Sequence, residues 1–126
     1  LLIVEDNPHV AELIQDGLRG SSKRSFGDPL EFEFTLAPDG KVALDCLRTG
    51  RFDAVIIDIY LPIMDGAQVI AAARKELGLA DLPIIAVSAG GDTARKAALA
   101  AGADIFLDKP MRLRQVIETM RRLMKL

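Results

Sequence analysis

Four short, unbroken apolar runs constrain this chain most: Leu1–Val4, Ala54–Ile57, Ile84–Val87 and Ile105–Leu107, each followed at once by a polar or charged residue. Runs of Ile, Val and Leu without polar alternation suit strands covered on both faces. A fifth stretch, Leu30–Leu36, alternates strictly between apolar and polar. That is the pattern of a strand with one wet face, which belongs at a sheet edge.

Helical patterns fill the intervals. Asn7 and Pro8 read as an N-cap and a first-turn proline, followed by a face of Val10, Leu13, Ile14 and Leu18. Gly40–Arg48 is a shorter helix with Leu44 and Leu47 inward. Asp65 can cap a helix with the inner face Val69, Ile70, Ala73 and Leu77, stopped by Gly78. Asp92 is expected to cap an alanine-rich helix that stops at Gly102. Leu113, Val116, Ile117, Met120, Leu123 and Met124 mark the clearest helical period. Strand and helix thus alternate, which predicts a parallel sheet with helices on both faces. The order 2-1-3-4-5 would put the alternating strand at an edge. Arg19–Pro29, rich in Ser, Gly and bases, is expected to be a surface loop.

Composition removes chemistries. At 126 residues the chain is read as one domain over 1–126, with no effector domain within it. No apolar run approaches membrane-spanning length, and no charged leader precedes Leu1, so neither a membrane span nor a signal peptide is expected. One cysteine, Cys46, and one histidine, His9, exclude an internal disulfide and zinc sites built from several Cys and His ligands. They also exclude hydrolytic triads unless His9 serves alone. With 16 basic and 18 acidic residues, bulk charge does not make this a nucleic-acid binder. A site must come from acids, hydroxyls, lysines and a metal.

The strand ends supply those parts. In an open α/β sheet the ligand crevice lies beyond the carboxyl ends of the strands. There stand Glu5-Asp6 after the first strand, Asp58 after the third, Ser88 after the fourth and Asp108-Lys109-Pro110 after the fifth. Neighbouring carboxylates repel one another, and a divalent cation with oxygen ligands relieves that repulsion. Lys109 adds a positive charge and Ser88 a hydroxyl donor. Such a pocket suits a phosphoryl group, whose charge is spread over several partners.

These residues resemble the receiver domain of two-component response regulators. The resemblance covers essentially the whole chain. It rests on LLIVEDNP at Leu1–Pro8, VIIDIYLPIMDG around Asp58, IIAVSAG around Ser88 and ADIFLDKP around Lys109, with the D-x-x-L-P-x-M-D-G stretch Asp58–Gly66 the most diagnostic. It implies a flavodoxin-like, doubly wound five-stranded parallel sheet in the order 2-1-3-4-5. It implies Asp58 as phosphoacceptor, Asp6 as a direct Mg2+ ligand, Glu5 holding the ion through water, and the Tyr60 backbone carbonyl as a further ligand, with Mn2+ as a substitute ion. Ser88 would move to the acyl phosphate, Lys109 would pair with a phosphoryl oxygen, and Phe106 would be the switch aromatic. Lys109-Pro110 matches a peptide bond that is usually cis in this family.

The implied function is a phosphorelay switch, not an enzyme with an external product. Its partner would be a sensor histidine kinase or histidine phosphotransfer protein in the cytoplasm. The face of the fourth helix, fifth strand and fifth helix would be the output surface and a surface for a homodimer. The rival class is an Mg2+-dependent phosphohydrolase with an aspartyl nucleophile; such enzymes usually carry a second Asp where Tyr60 stands. The basic residues Arg112, Arg114, Arg121, Arg122 and Lys125 read as a solvated helix face or a partner surface. His9 is expected to be exposed, Cys46 a buried inert thiol, and Met64 apolar cover for the site.

Overall fold

The computed structural model describes residues 1–25, 33–109 and 112–124. Strands β1 (Leu2–Val4), β2 (Thr35–Ala37), β3 (Val55–Asp58), β4 (Ile84–Ser88) and β5 (Ile105–Asp108) alternate with helices α1 (Pro8–Ser25), α2 (Gly40–Thr49), α3 (Gly66–Lys75), α4 (Gly91–Ala101) and α5 (Leu113–Met124). The sheet is parallel, in the predicted order β2-β1-β3-β4-β5.

Strand side chains alternate between two cores, as the period of two requires. Leu2, Val4, Val55, Ile57, Ile84 and Ala86 join Val69, Ile70 and Ala98 in a core on the side of α2, α3 and α4. Ile3, Ile56, Ile85 and Val87 face the other way and meet Ile14, Leu18, Val116 and Met120 of α1 and α5. Burial on both faces is the physical reason that the four runs carry no polar alternation.

Three local expectations change. First, α1 continues to Ser25, so the predicted loop is helical over Arg19–Ser25; its remainder lies outside the described residues. Two glycines and three serines lower helix propensity, but a chain already nucleated on the sheet extends at small cost per residue. Second, the edge strand is short. It spans Thr35–Ala37 because β1 offers only Leu2, Ile3 and Val4 as partners. Leu36 is exposed, and Ala37 is buried instead. Third, the N-cap of α4 is Gly90, with no side-chain cap, and Asp92 lies in the first turn. Asp65 does cap α3, in a reciprocal capping box with Gln68. Gly102 ends α4 in the left-handed conformation at φ 117°.

At the amino ends of the strands, Arg74 of α3 buckles two loops together. Its guanidinium donates to the carbonyls of Leu79, Leu82 and Gly102 at 2.7, 2.7 and 3.0 Å, and to Asp104 Oδ2 at 3.1 Å. Asp104 also accepts from the Ile84 amide at 2.8 Å, which registers the start of β5 against β4.

Candidate functional site

Topology brings four of the strand-end residues together. Glu5 follows β1, the strand between β2 and the central β3, and its amide donates to the Ala37 carbonyl at 3.0 Å. Asp58 is the last residue of β3 and Ser88 the last of β4. Lys109 follows β5, anchored by its amide to the Ser88 carbonyl at 2.9 Å. Glu5 and Asp58 are buried, at 6% and 5% exposure, while Asp6 is exposed.

One oxygen from each of Glu5, Asp6 and Asp58 lies within 4.8 Å of the others. Lys109 Nζ donates to Asp58 Oδ2 at 2.6 Å and to Glu5 Oε2 at 3.1 Å. Asp58 Oδ1 accepts from the Tyr60 amide at 3.0 Å, and Glu5 Oε1 from the Asn7 amide at 3.3 Å. Backbone donors and one ammonium therefore hold the two buried carboxylates, which would otherwise be costly to desolvate. Burial raises the Glu5 pKa above 4.5, although Lys109 pulls the other way. Burial lowers the Lys109 pKa, but Asp58 and Glu5 outweigh it and hold the group above 10.5. The rise at Glu5 is chiefly the cost of burying its carboxylate, and the Asp58 charge adds a smaller push in the same direction. The all-oxygen donor set suits a hard divalent cation such as Mg2+.

The remaining predicted residues divide. Ser88 is fully buried, and its Oγ accepts from the Gly90 amide at 3.3 Å. The Tyr60 side chain is 57% exposed and lies across Gly90: a Cβ there would come 2.5 Å from the phenol oxygen and 2.6 Å from Cε2. Phe106 points into the core shared with α4, at 7% exposure. Asp108 turns away from the acids toward Arg95, at 3.5 Å. Pro110 lies outside the described residues, and with it the Lys109-Pro110 bond. Met64 packs on the apolar core beside the site. His9 is exposed, and its amide donates to Asn7 Oδ1 at 3.0 Å, the predicted N-cap bond. Cys46 is half-buried rather than buried, because it lies at the margin of the α2 inner face.

Two glycines near the site, Gly66 and Gly90, stand in the quoted motifs, but helix and strand periodicity gives no reason for them. Gly66 packs against the backbone of Asp58 and Ile59, where any Cβ would collide. Gly90 makes room for the Tyr60 ring. Both are needed for close approach between segments distant in sequence, which periodicity does not report.

Comparison with known proteins agrees with this geometry. Residues 1–121 match the family model of the response regulator receiver domain. The response regulator MprA of Mycolicibacterium vanbaalenii is 35% identical over 126 residues, covering 99% of this chain and 50% of that protein. The chain thus spans about half the length of the curated relatives it matches. A Chloroflexus aurantiacus chain assigned as a response regulator superposes with a TM-score of 0.85 at 30% identity, covering 99% of this chain and 96% of that one. The receiver domain of the sensor histidine kinase PA1611 from Pseudomonas aeruginosa, solved with a magnesium ion in its active-site cleft, gives 0.84 at 28% identity, covering 99% and 96%.

Proposed function

The chain belongs to the response regulator receiver family, and from that premise we propose that it is a phosphorylation switch whose acceptor is Asp58. The observation that carries this reading is the cluster of Glu5, Asp6 and Asp58 oxygens within 4.8 Å, with Lys109 at 2.6 Å from Asp58. Response regulators work with histidine kinases, so the donor is a phosphohistidine on a sensor kinase or a histidine phosphotransfer protein. A cytoplasmic location goes with this reading. Among the described residues no helix is long and apolar enough to cross a membrane.

Asp6, Asp58 and the Tyr60 backbone carbonyl would hold Mg2+, or Mn2+ in its place, with Glu5 acting through water. The bound ion would neutralise charge on the phosphoryl oxygens. An Asp58 carboxylate oxygen attacks phosphorus. The phosphorus–nitrogen bond of the donor breaks, its electron pair returns to the imidazole, and an acyl phosphate remains on Asp58. Lys109 leaves its carboxylate partners to pair with a phosphoryl oxygen, and Ser88 donates its hydroxyl to another. The β4–α4 loop follows Ser88, and the packing of Phe106 between α4 and β5 changes with it. The face of α4, β5 and α5 is then the output surface and a surface for a second copy. We assign residues 1–126 to the receiver alone, with the output carried elsewhere and without direct nucleic-acid contact by this unit. The only reaction catalysed is the domain's own phosphorylation and dephosphorylation.

Incubation with acetyl phosphate and Mg2+, read by intact mass, tests this. One phosphoryl adduct is expected, lost in Asp58→Asn and lost on chelation. Many turnovers of an organic phosphate without a lasting adduct would establish the phosphohydrolase instead.

A further inference from the structure

Arg95, in the second turn of α4, makes two contacts with β5. Its guanidinium lies over the Phe106 ring, 5.5 Å from the centroid, and stands 3.5 Å from Asp108 Oδ2. Phe106 and Asp108, two residues apart, share one face of the strand, so Arg95 reaches along that face from the buried ring to the exposed carboxylate at the strand's end. Asp108 precedes Lys109, the residue whose ammonium holds Asp58 and Glu5. It is also the register partner of Ser88. The two contacts of Arg95 therefore close on the segment that carries Lys109, the lysine that holds the acids.

The other attachments of α4 are uneven. Its carboxyl end is fixed: the Gly102 amide bonds back to Ala98 and Leu99, and Arg74 holds the Gly102 carbonyl. Its amino end has no side-chain cap and starts at Gly91, with φ 61° and no atom within 4 Å of where a Cβ would be. Among the described residues the amino half of α4 thus has fewer polar attachments than its carboxyl end, and Arg95, next to the buried Ala94, links that half to β5 through its side chain.

We propose that Arg95 is a clasp that holds α4 against β5 while Asp58 is unmodified, and that opens when the site gains a phosphoryl group. The inference rests on the phosphoacceptor reading of Asp58. In the unmodified site Lys109 is engaged by carboxylates and Ser88 by its own loop. A phosphoryl group draws both away, and so moves the β4–α4 loop and the end of β5 relative to each other. Arg95 spans that junction, so its contacts oppose the movement. By linkage, a contact made in one state alone lowers affinity for whatever favours the other.

The test titrates beryllium fluoride, a phosphoryl mimic, into the protein at saturating Mg2+. Binding is followed by the fluorescence of Tyr60, which is the chain's one tyrosine in the absence of tryptophan. Arg95→Gln is half-exposed and should fold as wild type does, which a melting curve checks. Its affinity for the mimic should rise about three- to tenfold, the scale of a cation–π contact and an exposed ion pair lost together. In a Phe106→Leu background the same substitution should have a smaller effect. No saturable binding by the wild type would overturn the acceptor reading and the clasp with it. Wild-type binding with unchanged or weaker binding by Arg95→Gln would overturn the clasp alone. An undiminished effect in the Phe106→Leu background would overturn the assignment of the ring as its partner.

Discussion

Lys109 Nζ stands 2.6 Å from Asp58 Oδ2, joining the ends of β3 and β5 across the intervening β4. The ammonium occupies oxygens that a divalent cation would also seek. Lys109→Met removes that competitor and leaves Glu5 and Asp58 without a neutralising charge. Mg2+ affinity should rise by about three- to tenfold. Phosphorylation by acetyl phosphate should slow by at least about tenfold, because one centre for the transferred charge is gone. Tyr60 fluorescence measures the first and intact mass the second; weaker Mg2+ binding would contradict the competition.

Glu5 carries the cost of its burial, and that cost depends on pH. Its folded pKa lies above 4.5, so the ionised form destabilises the metal-free protein. The penalty is complete above the raised folded value and vanishes as pH falls through it toward 4.5. Glu5→Gln, melted in chelator, should therefore be more stable than wild type near neutral pH. The gain should disappear near pH 4.5. The same variant should bind Mg2+ more weakly. A stability difference independent of pH would place its cause elsewhere.

The sheet order and the acid site were legible because both depend on where apolar runs stop. Asp58 and Ser88 each end a fully buried strand, Glu5 follows another, and Lys109 follows the partly buried β5. Charge and hydroxyl at those positions stand out against Ile, Val and Leu. Arg74 and Arg95 were not legible. Each is one basic residue on a helix, and its meaning lies in Gly102, Asp104, Phe106 and Asp108, which reach it only through the fold. The length of α1 was misread for a related reason. Gly17, Gly20 and Ser21 lower local propensity, but a helix seated on the sheet by Ile14 and Leu18 is already nucleated.

The Tyr60 ring lies on Gly90 of the β4–α4 loop, and on the phosphoacceptor reading it is expected to screen Asp58 on that side. Water attacking an acyl phosphate on Asp58 would have to pass it. Tyr60→Asn should shorten the phosphoryl lifetime about five- to tenfold, corresponding to about 1–1.4 kcal/mol of barrier. Gly90→Ala should act in the same direction, because a methyl group there displaces the ring. Decay of the adduct by intact mass gives both lifetimes, and an unchanged lifetime in Tyr60→Asn refutes the screen.

Arg74 is a structural residue at the end of the sheet opposite the acids. Alanine there strands the carbonyls of Leu79, Leu82 and Gly102 and leaves Asp104 without its cation. Arg74→Ala should cost about 2–4 kcal/mol, the range for a partly buried charged hydrogen-bond network. Arg74→Lys should recover only part of it, since an ammonium cannot fork to several acceptors. Mg2+ affinity should not change in either variant. Thermal melts with and without Mg2+ separate the two effects.

Ile63 lies in the stretch between Asp58 and α3 with φ at 71°, in the left-handed region, and 77% of it is exposed. A β-branched residue there is strained, at about 1–2 kcal/mol, and burial returns little in exchange. Glycine adopts this conformation freely but gains disorder in the unfolded chain, worth about 0.5–1 kcal/mol against it. Ile63→Gly should therefore stabilise the protein by roughly 0.5–1 kcal/mol. The side chain also stands in the loop that follows Asp58, where, on the phosphoacceptor reading, a kinase or phosphotransfer partner would approach. If the strain is kept for that contact, Ile63→Gly melts higher yet accepts phosphoryl from its protein donor more slowly, while acetyl phosphate labels it at the wild-type rate. Equal rates from both donors would leave Ile63 with no part in recognition.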